Sequence, residues 1–108
     1  MATDFCFVYM TAGSPEEARM IGEVLVAERL AACVNLIGGM TSIYRWQGEI
    51  ERSEEVVMIA KTGRDRVEAL TDRVIRLHSY DCPCIVVLPV EGGNRAFLGW
   101  IGEQLGGG

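Results

Sequence analysis

Apolar positions along this chain fall either in short unbroken runs or at helical spacing, and the alternation of the two predicts the elements. Phe5-Cys6-Phe7-Val8-Tyr9-Met10 is an unbroken run with aromatic and β-branched residues, which predicts a strand buried on both faces. Thr11-Ala12-Gly13 ends it. Ser14-Pro15-Glu16-Glu17 then announces a helix, with Ser14 as N-cap, Pro15 at the first helical position and Glu17 completing a capping box. Ala18, Ile21, Val24 and Leu25 supply an apolar face that carries this helix to about Leu30, with Arg19 and Glu23 toward water. Strand character returns from Ala31 to Ile37 and resumes from Met40 to Trp46. The intervening Gly38-Gly39 is read as a bend within one long strand. Gln47-Gly48-Glu49 is a turn, and Ile50 opens a return strand that ends in Val56-Val57-Met58-Ile59-Ala60.

A second helix follows, with Thr62 as its cap, Asp65 three residues on, and Val67, Leu70, Val74 and Leu77 at helical spacing. The loop from His78 to Pro83 leads into a second buried-strand run, Cys84-Ile85-Val86-Val87-Leu88. Asn94 caps a short third helix with Phe97, Trp100 and Ile101 on its inner side. The order β-α-β-β-α-β plus a terminal helix predicts an α+β, ferredoxin-like split βαβ domain: a four-stranded antiparallel sheet with two helices on one face. One domain over 1–105 accounts for the pattern, and Gly106-Gly107-Gly108 reads as a flexible tail. The first and last strands span about seven residues each, a usual length, and the hairpin from Ala31 to Lys61 needs strands roughly twice that. Its outer half must therefore project past its own helices, and a bare two-stranded ribbon is marginal in water. Another copy of the same chain is the simplest cover.

Composition narrows the partners. The chain has 108 residues, a net charge of -5 and scattered arginines, so no basic stripe is offered to nucleic acid or to an anionic membrane. No stretch approaches the roughly 20 apolar residues that span a bilayer, and the N-terminus lacks a basic region of a signal peptide. Cys6, Cys33, Cys82 and Cys84 form an even set. Cys6 and Cys33 sit in apolar runs where free cysteine behaves as a small hydrophobe, so thiols in the cytoplasm are expected rather than a disulfide framework. No P-loop, nucleophile elbow or dinucleotide glycine motif occurs. With a single histidine in the chain, the reading is non-enzymatic.

Several segments, in order and at matching spacing, resemble one family. They are Leu30-Ala31-Ala32-Cys33, Gly39 to Ile50, Ile59-Ala60-Lys61-Thr62, His78 to Ile85, and Trp100-Ile101. Together they strongly resemble the pattern of the CutA divalent-cation-tolerance proteins, from about Val8 to Ile101. The resemblance implies a ferredoxin-like protomer close in shape to the PII signalling proteins, a homotrimer interlocked through the long hairpin, a response to metal ions, and binding of copper or another divalent ion. No metal is expected to be required for folding. The chain departs from the family's usual His-Pro-Tyr-Glu-x-Pro-Glu-Ile where Ser79 replaces the first proline and Cys84 the glutamate after Pro83.

Two candidate sites and an interface follow. His78, Asp81, Cys82 and Cys84 place an imidazole, a carboxylate and two thiols within seven residues, donors that suit Cu(I) or Zn(II). Against this, Cys84 starts a strand as a hydrophobe and His78 caps the second helix. Thr11, Lys61 and Tyr80, joined through the family pattern, form a candidate inter-subunit cleft for a small anion. Tyr44, Trp46 and Glu49 are assigned to the trimer interface. A PII-like metabolite sensor with an unidentified small ligand, or a scaffold trimer acting through its surface, are the alternatives.

Overall fold

The computed structural model of the protein describes residues 3–106; residues 107 and 108 of the predicted tail lie outside the described residues. Strand β1 (Phe5–Ala12) leads to helix α1 (Pro15–Ala27), long strands β2 (Cys33–Trp46) and β3 (Glu49–Gly63), helix α2 (Val67–Leu77), strand β4 (Ile85–Pro89) and helix α3 (Arg95–Gln104). The four strands form one antiparallel sheet in the order β2-β3-β1-β4, so β1 and β3 are central. This is the ferredoxin-like split βαβ arrangement expected from the element order.

Alternation along β1 decides the layers. Cys6, Val8 and Met10 point to one face and are fully buried. Val8 and Met10 pack with Val56, Met58 and Ala60 of β3 against Ala18, Ile21 and Leu25 of α1 and Leu70 and Val74 of α2. Residues Phe5, Phe7 and Tyr9 point the other way, where only α3 covers the sheet. Ile101 and Leu105 bury there with Ala32 and lean on Phe5. Lys61 also projects on this face, its ammonium 5.6 Å from the Phe7 ring and 5.2 Å from the Phe97 ring.

The hairpin projects as the strand lengths demanded. β2 and β3 have 14 and 15 residues, against 8 and 5 for β1 and β4. β1 pairs with β3 only as far as Val56, so from Glu55 outward β3 has β2 as its sole neighbour. At about 3.3 Å per residue, this two-stranded part extends about 23 Å. The molecule measures 47 × 28 × 23 Å, and its radius of gyration of 14.6 Å exceeds the roughly 13 Å of a compact chain this long. The Gly38-Gly39 pair is the predicted bend: the ladder register shifts between Ile37 and Met40, and Gly39 has φ 76°. Trp46 pairs with Glu49 across a two-residue turn, with Gln47 at φ 49° and Gly48 at φ 83°. Two positive φ values match the right-handed twist of the flanking strands.

Five local expectations are corrected. Thr62 does not cap α2: it is the fully buried penultimate residue of β3, and its hydroxyl donates to the Leu30 carbonyl at 2.7 Å. A 3₁₀ turn over Arg64–Arg66 precedes the helix instead. α1 stops at Ala27 rather than near Leu30. The Leu30 amide bonds Leu25 O and the Arg29 amide bonds Val26 O, with Arg29 at φ 58°, closing the helix in a Schellman motif without glycine. Ser14 accepts from the Glu17 amide as predicted, but the Glu17 carboxylate turns to Ser79 instead of closing a capping box. Only Ile101 of the predicted inner trio on α3 is buried, while Phe97 and Trp100 stack on each other and stay about two-fifths exposed. Finally, β4 starts at Ile85, and Val86, Val87 and Leu88 are exposed on this edge strand, because no second layer covers it within one chain.

Candidate functional site

Because cross-strand partners share a face, the bend at Gly38-Gly39 sets which side chains of the ribbon look toward the rest of the domain. Met40, Ser42, Tyr44 and Trp46 of β2 pair with Glu55, Ser53, Glu51 and Glu49 of β3. Across from this row stands the loop after α2. Between them lies an open cleft of about 720 Å³, walled by Tyr44, Trp46, Glu51, Ser53 and Glu55 on the ribbon side. Thr11, Tyr80, Asp81, Cys82 and Cys84 wall the other side.

The loop is held by a buried histidine. The His78 side chain is 1% exposed, and its Nε2 lies 2.8 Å from the Thr11 carbonyl. The Tyr80 amide donates to Nδ1 at 3.1 Å. An accepting Nδ1 leaves Nε2 as the nitrogen that carries the hydrogen and donates to Thr11. Both nitrogens are thus committed to backbone groups. The Ser79 amide donates to Glu17 Oε2 at 2.7 Å, and that oxygen lies 3.9 Å from His78 Nδ1. Burial pushes the Glu17 carboxyl up, but the hydrogen bonds it accepts, chiefly from Ser79, outweigh this and hold it below its ordinary value.

Tyr80 completes the brace. Its ring sits 4.6 Å from the His78 ring, and its hydroxyl donates to Glu55 Oε2 at 3.0 Å. Ser42 donates to the other oxygen of Glu55 at 2.6 Å. Burial, then the bond to and charge of Glu55, push the Tyr80 phenol up to about 12. Burial and the Glu55 charge likewise raise the Cys84 thiol, which disfavours the thiolate that binds soft metals.

The predicted metal set is divided by this geometry. Asp81, Cys82 and Cys84 line the cleft, whereas His78 is buried behind it with no free nitrogen. Among the described residues, no three His, Cys, Asp or Glu side chains converge as a metal-binding group. Within one chain the four do not fit a divalent metal, which needs several donors at about 2.0–2.6 Å. His78 is the C-cap residue of α2, as predicted, but its ring serves the loop rather than the helix dipole. The anion set is divided as well. Thr11 and Tyr80 line the cleft, but Lys61 pairs with Phe7 and Cys33, four residues along β3 from Val57, the partner of Thr11. Among the described residues no lysine or arginine lines the cleft, an unfavourable setting for an anion. Tyr44 and Trp46 are 43% and 59% exposed and Glu49 is exposed too, as the ribbon's uncovered position requires. The sequence reading missed Glu17, Ser42, Glu51 and Glu55. The alternation of Glu49, Glu51, Ser53 and Glu55 on one strand face was the available signal, but that face has a direction only once β3 is paired with β1.

A ferredoxin-like domain with a long protruding ribbon and an acidic cleft at the ribbon's root defines the class. The sequence profile of the CutA1 divalent ion tolerance protein family matches residues 6–104. The chain belongs to that family. It is 48% identical over 99 residues to the divalent-cation tolerance protein CutA of Thermus thermophilus, covering 92% of this chain and 96% of that one. Human protein CutA is 45% identical over 93 residues, and this chain spans about half of its length (52%). The crystal structure of CutA from Xylella fastidiosa superposes with a TM-score of 0.93 at 37% identity, covering 95% of this chain and 99% of that one. The structure of the periplasmic divalent cation tolerance protein CutA from Archaeoglobus fulgidus gives 0.91 at 42%, covering 94% and 98%. No helix among the described residues is long and apolar enough to cross a membrane.

Proposed function

We propose that the protein serves divalent-cation tolerance in the cytoplasm as a homotrimer that catalyses no reaction. The uncovered ribbon carries this reading. Ile43 and Ile50 on one face of the ribbon and Trp46 on the other are each about three-fifths exposed, and the Trp46 face continues into the exposed Ile37, Val86 and Leu88. Apolar area of this extent on an isolated chain calls for a covering partner, and the family resemblance supplies the copy number. Four free cysteines favour a reducing compartment. The only histidine, with both nitrogens on backbone groups, is poorly placed for acid–base chemistry.

Copper or another divalent ion belongs to this proposal as the stimulus, met by the acidic cleft rather than by a preformed ligand cage. Native mass spectrometry at micromolar concentration should give three times 11.9 kDa. Thermal melts of the assembly with Cu(I), Cu(II) and Zn(II) should rise with metal concentration, because a ligand of the native state stabilises by mass action. A clean monomer refutes the assembly, and melts indifferent to all three ions refute direct metal binding.

A further inference from the structure

The chain's one histidine joins the helix layer to the loop that braces the ribbon. Three groups surround its imidazole. From β1 the Thr11 carbonyl meets Nε2 at 2.8 Å, and from the loop the Tyr80 amide donates to Nδ1 at 3.1 Å. From α1, Glu17 Oε2 stands 3.9 Å from that same Nδ1. Among the described residues, Glu17 is the only carboxylate within 4 Å of the ring nitrogens. Glu55 of β3 is linked to the imidazole through Tyr80, whose ring packs on it and whose hydroxyl bonds Glu55. The last turn of α2 adds one cation, Arg76, which is exposed.

Nδ1 is therefore contested. A neutral ring has one lone pair there, and the Tyr80 amide uses it. A second proton must take that position, where it meets the amide as donor against donor. The acceptor within reach is Glu17, once the 3.9 Å gap closes to the roughly 2.8 Å of a charge-assisted bond. The Ser79 amide, 2.7 Å from Glu17 Oε2, keeps the carboxylate stationed there, and a carboxylate oxygen has room for a second donor. Glu17 is held below its ordinary value of 4.5, so it is still an anion where histidine ordinarily charges, between about pH 5 and pH 8. Ser79, Tyr80, Asp81 and Cys82 are exposed, so a released Tyr80 amide finds water.

We infer that His78 is a pH-sensitive switch for the loop after α2. A proton taken from solvent at Nδ1 exchanges the Tyr80 amide for the Glu17 carboxylate, and Tyr80 then loosens its hold on Glu55 at the ribbon's root. Nε2 keeps the Thr11 carbonyl in both states, so the ring stays anchored to β1. The switch depends neither on metal nor on copy number. The test is nuclear magnetic resonance of the assembled protein, labelled with 13C and 15N and held in chelator, titrated from about pH 8 to about pH 5. Circular dichroism at each step follows the fold. At the alkaline end the ring should be the Nε2–H tautomer. As the imidazole charges, the Tyr80 amide proton should shift upfield, and the Tyr80 Cζ resonance, which reports the bond to Glu55, should move with the same midpoint. The circular dichroism should stay unchanged. Glu17→Gln removes the acceptor and should lower that midpoint by about one pH unit, a tenfold loss of proton affinity. Glu23→Gln, elsewhere on α1, should not move it. A Tyr80 amide or Cζ indifferent to the imidazole's charge overturns the inference. So does an equal midpoint in the Glu17→Gln variant, an Nδ1–H tautomer at the alkaline end, or an imidazole that charges only as the fold is lost.

Discussion

Replacing His78 by phenylalanine separates a structural histidine from a metal ligand. Phenylalanine keeps a ring in tilted contact with Tyr80 and nearly fills the same space, so packing changes little. What disappears is the bond to the Thr11 carbonyl at 2.8 Å and the acceptor for the Tyr80 amide at 3.1 Å. Thr11 is 7% exposed and the His78 side chain 1%, so water does not readily replace either partner. An orphaned buried polar group costs about 1–3 kcal/mol. Two of them, one partly reached by solvent, amount to about 2–4 kcal/mol per chain. At about 4–8 °C per kcal/mol for a domain near this size, the thermal midpoint should fall by about 8–32 °C. The assay is a melt of wild type and variant at equal protein concentration, in chelator and again with Cu(II) or Zn(II). The expected outcome is the same large drop in both conditions. A variant that melts like wild type in chelator and loses only a metal-dependent gain would refute the reasoning and make His78 a ligand.

Three further outcomes follow from the same contacts. Trp46→Ala should leave the secondary structure of each chain intact but lower trimer content, read by native mass spectrometry across a dilution series. Trp46 is 59% exposed on one chain, so an unchanged dilution profile would remove it from the interface. In a spectrophotometric titration, one of the three tyrosines should ionise near 12, and Glu55→Gln should bring it back toward 10; an unchanged profile would dissociate the phenol from Glu55. Glu17 is held below its ordinary value of 4.5, so its contribution to stability is full above that pH and is lost as pH falls through the lower folded value. Glu17→Gln should therefore flatten the acid side of the stability curve below pH 4.5, and a slope identical to wild type there would show that Ser79 and His78 do not depend on its charge.

Much of this architecture was legible from residues alone because it rests on local rules. The unbroken run from Phe5 to Met10, the Ser14-Pro15 start of α1 and the Asn94 cap of α3 each state an element through short-range chemistry. The length of the hairpin followed from counting residues, and with it the projection. Gly38-Gly39 announced a bend, since glycine relieves the steric cost of φ 76°. Where local signals compete, only the tertiary structure decided. Thr62 has the chemistry of a helix cap, yet the buried carbonyl of Leu30 claims its hydroxyl and keeps it in the strand. Arg29 takes a left-handed turn that its type does not advertise, in a helix end also tied down by Arg66 bonding its carbonyl. The cleft was the least legible part. Seven residues of sequence place His78 beside Asp81, Cys82 and Cys84, but the chain reverses at His78 and buries it against β1. The side chains that meet the loop instead come from Glu51 and Glu55, roughly thirty positions earlier. Their direction is set by the pairing of β3 with β1, and a period of two offers no means of choosing a face until the strand is paired.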